Sequence, residues 1–438
     1  MARNKILAQG RHGERGQTII LVAVSILSLL AMGALAVDVI TLYVAKGQIQ
    51  HAADAAALAG AKAFVESTVT SVPPTDPSFA TLQTIAQNIA CPDATCTSGY
   101  VGQALTQNPV SGSPAVISSH AYDFTIPGNP RITVSLKRTG LPIFFARIWS
   151  STLASVSATA TAEAYNPTPS AVNASPIPIA PQCVKPILVS NSAPGDWQAS
   201  GIPVPFINFA TGAIDFPGTA PGGFIGQEVI LNFNSSCPGP AKCVPYLRQQ
   251  VSGPHNFCSS CAGATDYEQS IACCDGTVYD FSQCGDSAEG AATTNNAVGT
   301  GTLTQSATQC LIHATGTGLG VGQDALDIND FLTKNDPIQI QAGSYSQSKL
   351  GVAANAPIST SDSIITLPIY QTVAGTLYIT GYLQVFVNST NDSVSNPAGG
   401  DLDVTILNVA GCRGATPANP SISGGGVTPV PVRLITPP

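Results

Sequence analysis

The sequence predicts an α+β protein hung from one membrane-crossing helix. An N-terminal transmembrane helix continues into a small α+β domain, and a disulfide-containing, mainly-β C-terminal domain follows. Three observations predict this. Thr18–Val37 is an uncharged apolar run of about 20 residues. Leu153–Ala164 alternates alanine with serine or threonine at a strand period of two. The rest of the chain is rich in turn residues and cysteine, with short apolar runs such as Ser363–Gln371, Thr376–Asn388 and Asp401–Val409.

At ~1.5 Å per residue the apolar run spans about 30 Å, the thickness of a bilayer's hydrocarbon core. A single chain in lipid must satisfy its own backbone, so the run is helical. No proline follows until Pro73, so the helix is expected to continue to about Phe64. A cleaved secretory signal would have an apolar core of ~7–15 residues ending at a small-residue site. The longer run, passing straight into a second helical half, favours an anchor. Arg3, Lys5, Arg11 and Arg15 oppose one acid, Glu14, before the span. Basic flanks stay inside, so the N-terminus is expected in the cytoplasm and the chain after Asp38 outside the membrane.

The second half carries small residues at helical spacing: Ala52, Ala56 and Gly60 on one stripe, Ala53, Ala57 and Ala61 on the next. Two readings stand. One is an alanine helix packed on its own domain. The other is a docking face in a larger assembly, since small side chains let backbones approach.

The run Arg15–Gln17, Ala36–Asp38, Lys46, Gln48, Gln50 and Ala52–Ala61 (RGQ, a membrane helix, AVD, then KGQIQHAADAAALAGA) resembles the N-terminal region of TadE/TadG-like proteins. FFARIWSSTLASVSATATAEA at 144–164 is similar to the same family, and short matches at 183–189 and 381–412 are weaker. The resemblance implies a single-pass bacterial inner-membrane protein, a non-catalytic accessory in assembling or anchoring tight-adherence (Flp-type) pili. It implies the lipid bilayer and other pilus-assembly proteins as partners. The alternative function is a membrane-tethered extracytoplasmic adhesin or binding module. True prepilins are cut after a glycine with glutamate five residues on. Here Gly13 is followed at that distance by Thr18 and Gly16 by Leu21, so no such cleavage is expected. Some relatives carry a metal site built on Asp-x-Ser-x-Ser. This chain has Asn391, Ser393 and Ser395 instead, and no metal is assigned.

Taken in order, the chain divides into a basic tail (1–16), the helix and its extension (17–66), a small α+β domain (67–165), a proline-rich linker (166–182) and a Cys-rich mainly-β domain (183–438). Phe79–Ala90 has apolar residues at helical spacing. Ala115–Ile126 and Arg131–Arg138 have strand character around a Pro-Gly-Asn-Pro turn. Pro142–Trp149 reads as a short helix. Asn166–Pro181 is extended and polyproline-like. The distal domain is expected to be β-sandwich-like.

Charged residues are only 10% of the chain, far below the ~25% usual in soluble proteins, and the net charge is −8. Nucleic-acid binders are basic, so nucleic acid is excluded as a partner. The 12 cysteines, Cys91, Cys96, Cys183, Cys237, Cys243, Cys258, Cys261, Cys273, Cys274, Cys284, Cys310 and Cys412, all follow the membrane span. Outside the cytoplasm they are disulfide candidates. Cys258-x2-Cys261 offers half a zinc site, but no second pair of that spacing completes it. Asp324, Asp327, Asn329 and Asp330 fail the calcium-loop pattern and read as capping residues. No nucleophile elbow, His-Glu-x-x-His or phosphate loop occurs, and His120, His255 and His313 stand in no recognisable triad. No enzyme activity, cofactor or small-molecule substrate is indicated.

Overall fold

The computed structural model describes residues 14–108, 116–126, 128–141, 154–167, 179–197, 203–215, 223–233, 242–249, 251, 265–274, 300–314, 322–334, 336–389, 400–412, 422–423 and 428–435. Its first element, α1 (Glu14–Glu66), is one unbroken helix. Its surroundings change halfway. From Ile19 to Val44 most large apolar side chains are exposed, while Ala34 and Asp38 are buried. From Ala45 onward Ile49, Ala52, Ala53, Ala56, Ala57, Ala61 and Phe64 are buried. Among the described residues α1 is the one helix long and apolar enough to cross a membrane. Its exposed apolar stretch, about 39 Å at ~1.5 Å per residue, is long enough to cross with some tilt.

The buried half lies on a sheet. Helices α2 (Phe79–Ala90) and α3 (Gly99–Gln107) flank it, and β1 (Val116–Asp123), β2 (Arg131–Leu141) and β3 (Ala154–Ala164) run antiparallel beside it. Ala158, Ala160, Ala162 and Ala164 of β3 are buried. Alanine on the strand meeting alanine on the helix brings the two backbones close. Side chains of α1 then reach strand carbonyls: Lys46 Nζ donates to Ser157 and Gln50 Nε2 to Thr159. The alternate residues of β3 build the other face, where Thr161 meets Thr133 at 2.9 Å and Thr159 meets Ser135 at 3.0 Å. A Cβ added to Gly60 would lie 2.6 Å from Ile132 Cδ1 and 3.1 Å from Val101 Cγ2, so any larger residue there must push the Ile132 side chain of β2 aside. The alanine–glycine stripe packs inside the chain, the first of the two readings, and is not open as a docking face for a neighbour.

The chain then forms β4 (Ile179–Ala180), β5 (Ile187–Ser190), β6 (Glu228–Asn232) and β7 (Cys243–Arg248). Helices α4 (Asp266–Ala272) and α5 (Thr300–Leu311) follow. Next come β8 (Ala325–Asp327), α6 (Asn329–Lys334), β9 (Gln339–Gln341), α7 (Ser344–Leu350) and β10 (Pro357–Ile358). The long strands are β11 (Ile364–Val373), β12 (Thr376–Ser389) and β13 (Leu402–Gly411), after which comes β14 (Ile422–Ser423). Strands β11-β12-β13-β6-β7-β5 close into a barrel, and β10-β9-β8 form a small separate sheet. The expected sandwich is thereby corrected. Short β5 pairs with both β7 and β11, so the sheet has no edge to stack on a second one. The β11–β12 hairpin turns on Ala374 and Gly375, both at positive φ, as a two-residue turn matching strand twist requires. Pro142–Trp149, residues 168–178 of the proline-rich stretch, and Asn391 to Ser395 lie outside the described residues.

Two features join the helix sheet to the barrel. The last strand, β15 (Val432–Ile435), returns to pair antiparallel with β3. There the buried Glu163 accepts from Arg131 Nε at 3.1 Å and from Arg433 Nε at 2.8 Å. At the end of α1 a buried polar clasp grips β13. Asn408 Nδ2 donates to Val65 O at 3.1 Å and to Gln384 Oε1 at 2.6 Å. Ser71 Oγ donates to Asn408 Oδ1 and stands 3.1 Å from the Val409 amide. Asn166 Nδ2 donates to both Thr70 O and Val409 O.

Close helix–sheet packing makes opposite demands at two glycines of α1. Gly60→Leu should cost about 1–3 kcal/mol through overpacking against Ile132. Gly47, with nothing within 4 Å, should accept alanine with a gain of ~0.5–1 kcal/mol. Thermal unfolding of the full chain in micelles measures both. Wild-type melting for Gly60→Leu would contradict this seating of the helix.

Candidate functional site

The described cysteines are disulfide-bonded. Cys91 pairs with Cys96 and Cys183 with Cys274, while Cys243, Cys273, Cys310 and Cys412 are also bonded. Cys237, Cys258, Cys261 and Cys284 lie outside the described residues. The Cys183–Cys274 bridge closes a separation of 91 residues, for which the chain-entropy model gives ~4–5 kcal/mol. Cys91 and Cys96 sit beside His120, the Cys96 Sγ–Nδ1 distance being 3.6 Å. Their sulfurs are bonded to each other, so this trio offers no pair of thiolates to a metal. Asp93 shapes the small loop between them. Its carboxylate accepts from Thr95 and Thr97, which hold its carboxyl down to about 2.

The acidic stretch near 324–330 is engaged with its own surroundings. Asp324 accepts from the Gly343 amide at 2.8 Å, Ser346 Oγ at 3.0 Å and Ser361 Oγ at 2.6 Å. Asp327 accepts from the Asn329 amide at 3.2 Å. The Asp324 bonds fasten α7 and the turn before β11 to the segment entering β8, and the Asp327 bond caps the start of α6. His51 is exposed on α1, and His255 lies outside the described residues. His313, at φ 59°, stacks on Tyr345 and faces Asp362 Oδ2 at 3.0 Å.

A cleft of about 630 Å³ opens where the end of α1 meets the barrel. Its floor comes from β11, β12 and β13 through Ile364, Ile365, Gln384 and Leu407. One wall is the last turn of α1 with Tyr100 of α3, and the other is α7 with His313 and Asp362. Lys62 and Glu66, one turn apart, pair at 3.1 Å, and Tyr100 donates its hydroxyl to the other Glu66 oxygen. Burial raises the Glu66 carboxyl above its usual range, with Lys62 and Tyr100 opposing. The same burial, together with the Glu66 charge, pushes the Tyr100 hydroxyl up. Across the cleft Asp362 takes His313 and, at 3.6 Å, Lys349. Thr68, directly after α1, is 1% exposed and stands at φ 64°. That left-handed conformation is costly for a β-branched residue. Its hydroxyl has no hydrogen-bond partner.

Sequence reasoning did not find this cleft. Its lining comes from segments hundreds of residues apart, and Lys62 and Glu66 look like ordinary polar positions of a helix. The left-handed Thr68 leaves no mark in the sequence.

Residues 16–63 match a family model described as putative Flp pilus-assembly TadE/G-like. The match covers the apolar half of α1 and nearly all of its buried half, and stops before the sheet and barrel begin. No curated protein and no solved structure matches the chain.

A carboxyl raised by burial makes stability depend on pH with a defined sign. The folded chain holds the Glu66 proton more tightly than the unfolded chain. This group's contribution therefore falls as pH rises from about 4.5 through the raised value. Glu66→Gln keeps a partner for Tyr100 without the charge. It should melt at or above wild type at pH 7.5 and show a flatter dependence of Tm between pH 4.5 and 8. A lower Tm at pH 7.5 would mean that the Lys62 pair outweighs desolvation.

Proposed function

We propose that the chain is a single-pass envelope protein that serves assembly or anchoring of tight-adherence (Flp-type) pili without catalysing a reaction. Its N-terminus is cytoplasmic, the exposed half of α1 crosses the inner membrane, and the sheet and barrel stand outside it. The carrying observation is the division of α1, uncharged and exposed in its apolar side chains from Ile19 to Val37 and core of its own fold from Ala45 onward, within the stretch that the TadE/G-like model matches. Bonded cysteines in the outer part agree with an oxidising compartment. With the stripe of α1 buried, contact with other assembly proteins falls to the membrane-embedded face and to the outer surfaces of the sheet and barrel. A second reading, a tethered binding module, is favoured by the cleft between α1 and the barrel.

The test is a swap of Thr18–Val44 for an unrelated apolar span of equal length in the native host, with Ala45 onward unchanged. An assembly role predicts normal protein level, loss of surface pili, and loss of pilus-assembly proteins from crosslinked complexes of the variant. Normal piliation and unchanged complexes would favour the tethered module, for which any anchor serves.

A further inference from the structure

The sheet beside α1 has two ends, and one of them sits where the exposed apolar part of the helix stops. Lys46 Nζ donates to the Ser157 carbonyl, and Ser157 pairs with Lys137 across β2 and β3. Lys137 in turn pairs with Val116 at the start of β1. Lys46, Lys137 and Val116 therefore stand at one level along α1, and all three are exposed. Just before that level on α1 lie Val39, Ile40, Tyr43 and Val44, each more than half exposed. Charge is segregated at this end. Among the described residues 39–53 of α1, 116–119 of β1, 134–141 of β2 and 154–158 of β3, the Lys, Arg, Asp and Glu residues are Lys46, Lys137 and Arg138, all basic. The whole chain carries −8. A basic end on an acidic protein is the end that an anionic surface attracts.

We propose that this end of the sheet rests on the membrane and contacts anionic phospholipid headgroups through Lys137 and Lys46. The inference rests on the reading that α1 crosses a bilayer, and adds where the crossing stops. Were the hydrocarbon to end at Val37, Lys46 would stand ~13 Å above it, beyond a headgroup layer of ~5–8 Å. Val39, Ile40, Tyr43 and Val44 would then lie outside the hydrocarbon with their apolar surface exposed. An end at Val44 puts these side chains against lipid and Lys46 and Lys137 about 3 Å above it, within the headgroup layer. Tyr43 then sits at the interface, where a ring with a polar tip is favoured. Asp38, the one charged residue between Arg15 and Lys46, does not oppose this placement, because it is buried in the protein and not exposed to lipid. The apolar stretch exceeds the ~30 Å core by about 9 Å, and tilt takes up such an excess. The sheet packs along α1, so tilt toward the sheet lowers its basic end onto the headgroups.

Photocrosslinking of the full chain tests it, in nanodiscs of phosphatidylglycerol and phosphatidylcholine mixed equally with matched acyl chains. The photoreactive residue p-benzoylphenylalanine replaces Leu27, Val116 or Thr125, one at a time, and intact mass identifies the lipid attached. Leu27, exposed in the apolar stretch, reports the span itself, and Thr125 lies past the far end of β1. Lipid adducts are expected at Leu27 and Val116 and none at Thr125. The two lipids should appear in proportion at Leu27. At Val116 phosphatidylglycerol should be enriched about 5-fold, the effect of one lysine at an anionic surface. Lys137→Gln should lower that enrichment toward the Leu27 ratio. Should the Val116 variant melt early, Thr139, exposed at the same end of β2, takes its place. An adduct at Leu27 with none at Val116 overturns the proposal and leaves the span intact. No adduct at Leu27 overturns the span, and the proposal with it. The proposal also fails if Val116 captures the two lipids in proportion, or if Lys137→Gln leaves the enrichment unchanged.

Discussion

The structure depends on a few buried hydrogen bonds where the long helix ends. Asn408 on β13 reaches back to the Val65 carbonyl, Ser71 holds Asn408, and Asn166 bridges Thr70 to Val409. Each such bond contributes only ~0.5–1.5 kcal/mol net, but a buried partner left unpaired costs about 1–3 kcal/mol. The clasp is therefore selective more than strong. It admits one seating of the barrel on the helix end, because any other strands several amide groups away from water. The cleft, with Thr68 between the helix and the Ser71 turn, is a by-product of that seating.

Alanine supplies the other half of the architecture. The exposed apolar half of α1 leads without a break into a sheet, with β3 alanines against α1 alanines and Lys46 and Gln50 bonded to strand carbonyls. The bound sheet in turn holds β15, whose Arg433 shares Glu163 with Arg131. The orientation of α1 is thereby tied to that of the sheet and barrel. In the proposed role, this would hold the outer surfaces at a set angle to the membrane.

Much of this was legible in the sequence because it rests on local periodicity. The uncharged run and its proline-free continuation gave α1, the helical spacing of Leu82, Ile85 and Ala86 gave α2, and the alternation after Leu153 gave β3. Cys91 and Cys96, both among the disulfide candidates, close a small loop between them. What escaped rests on long-range pairing. Strand β5 is four residues long and takes its place only through β7 and β11, and β15 gains meaning only beside β3. Barrel and sandwich share one strand pattern and differ in which edges meet. The cleft escaped for the same reason, since Lys62, Tyr100, His313 and Leu407 have no sequence relation.

The central claim is that α1, sheet and barrel form one rigid unit. Electron–electron distance measurements test it most directly, with spin labels at exposed Tyr43 on α1 and at Ala374 in the β11–β12 turn, on the full chain in nanodiscs. A single narrow distance distribution is predicted, and it should broaden when Asn408 is replaced by alanine. A broad or two-peaked distribution in the otherwise wild-type chain would contradict the account, because the helix end would then be a hinge and not a clasp.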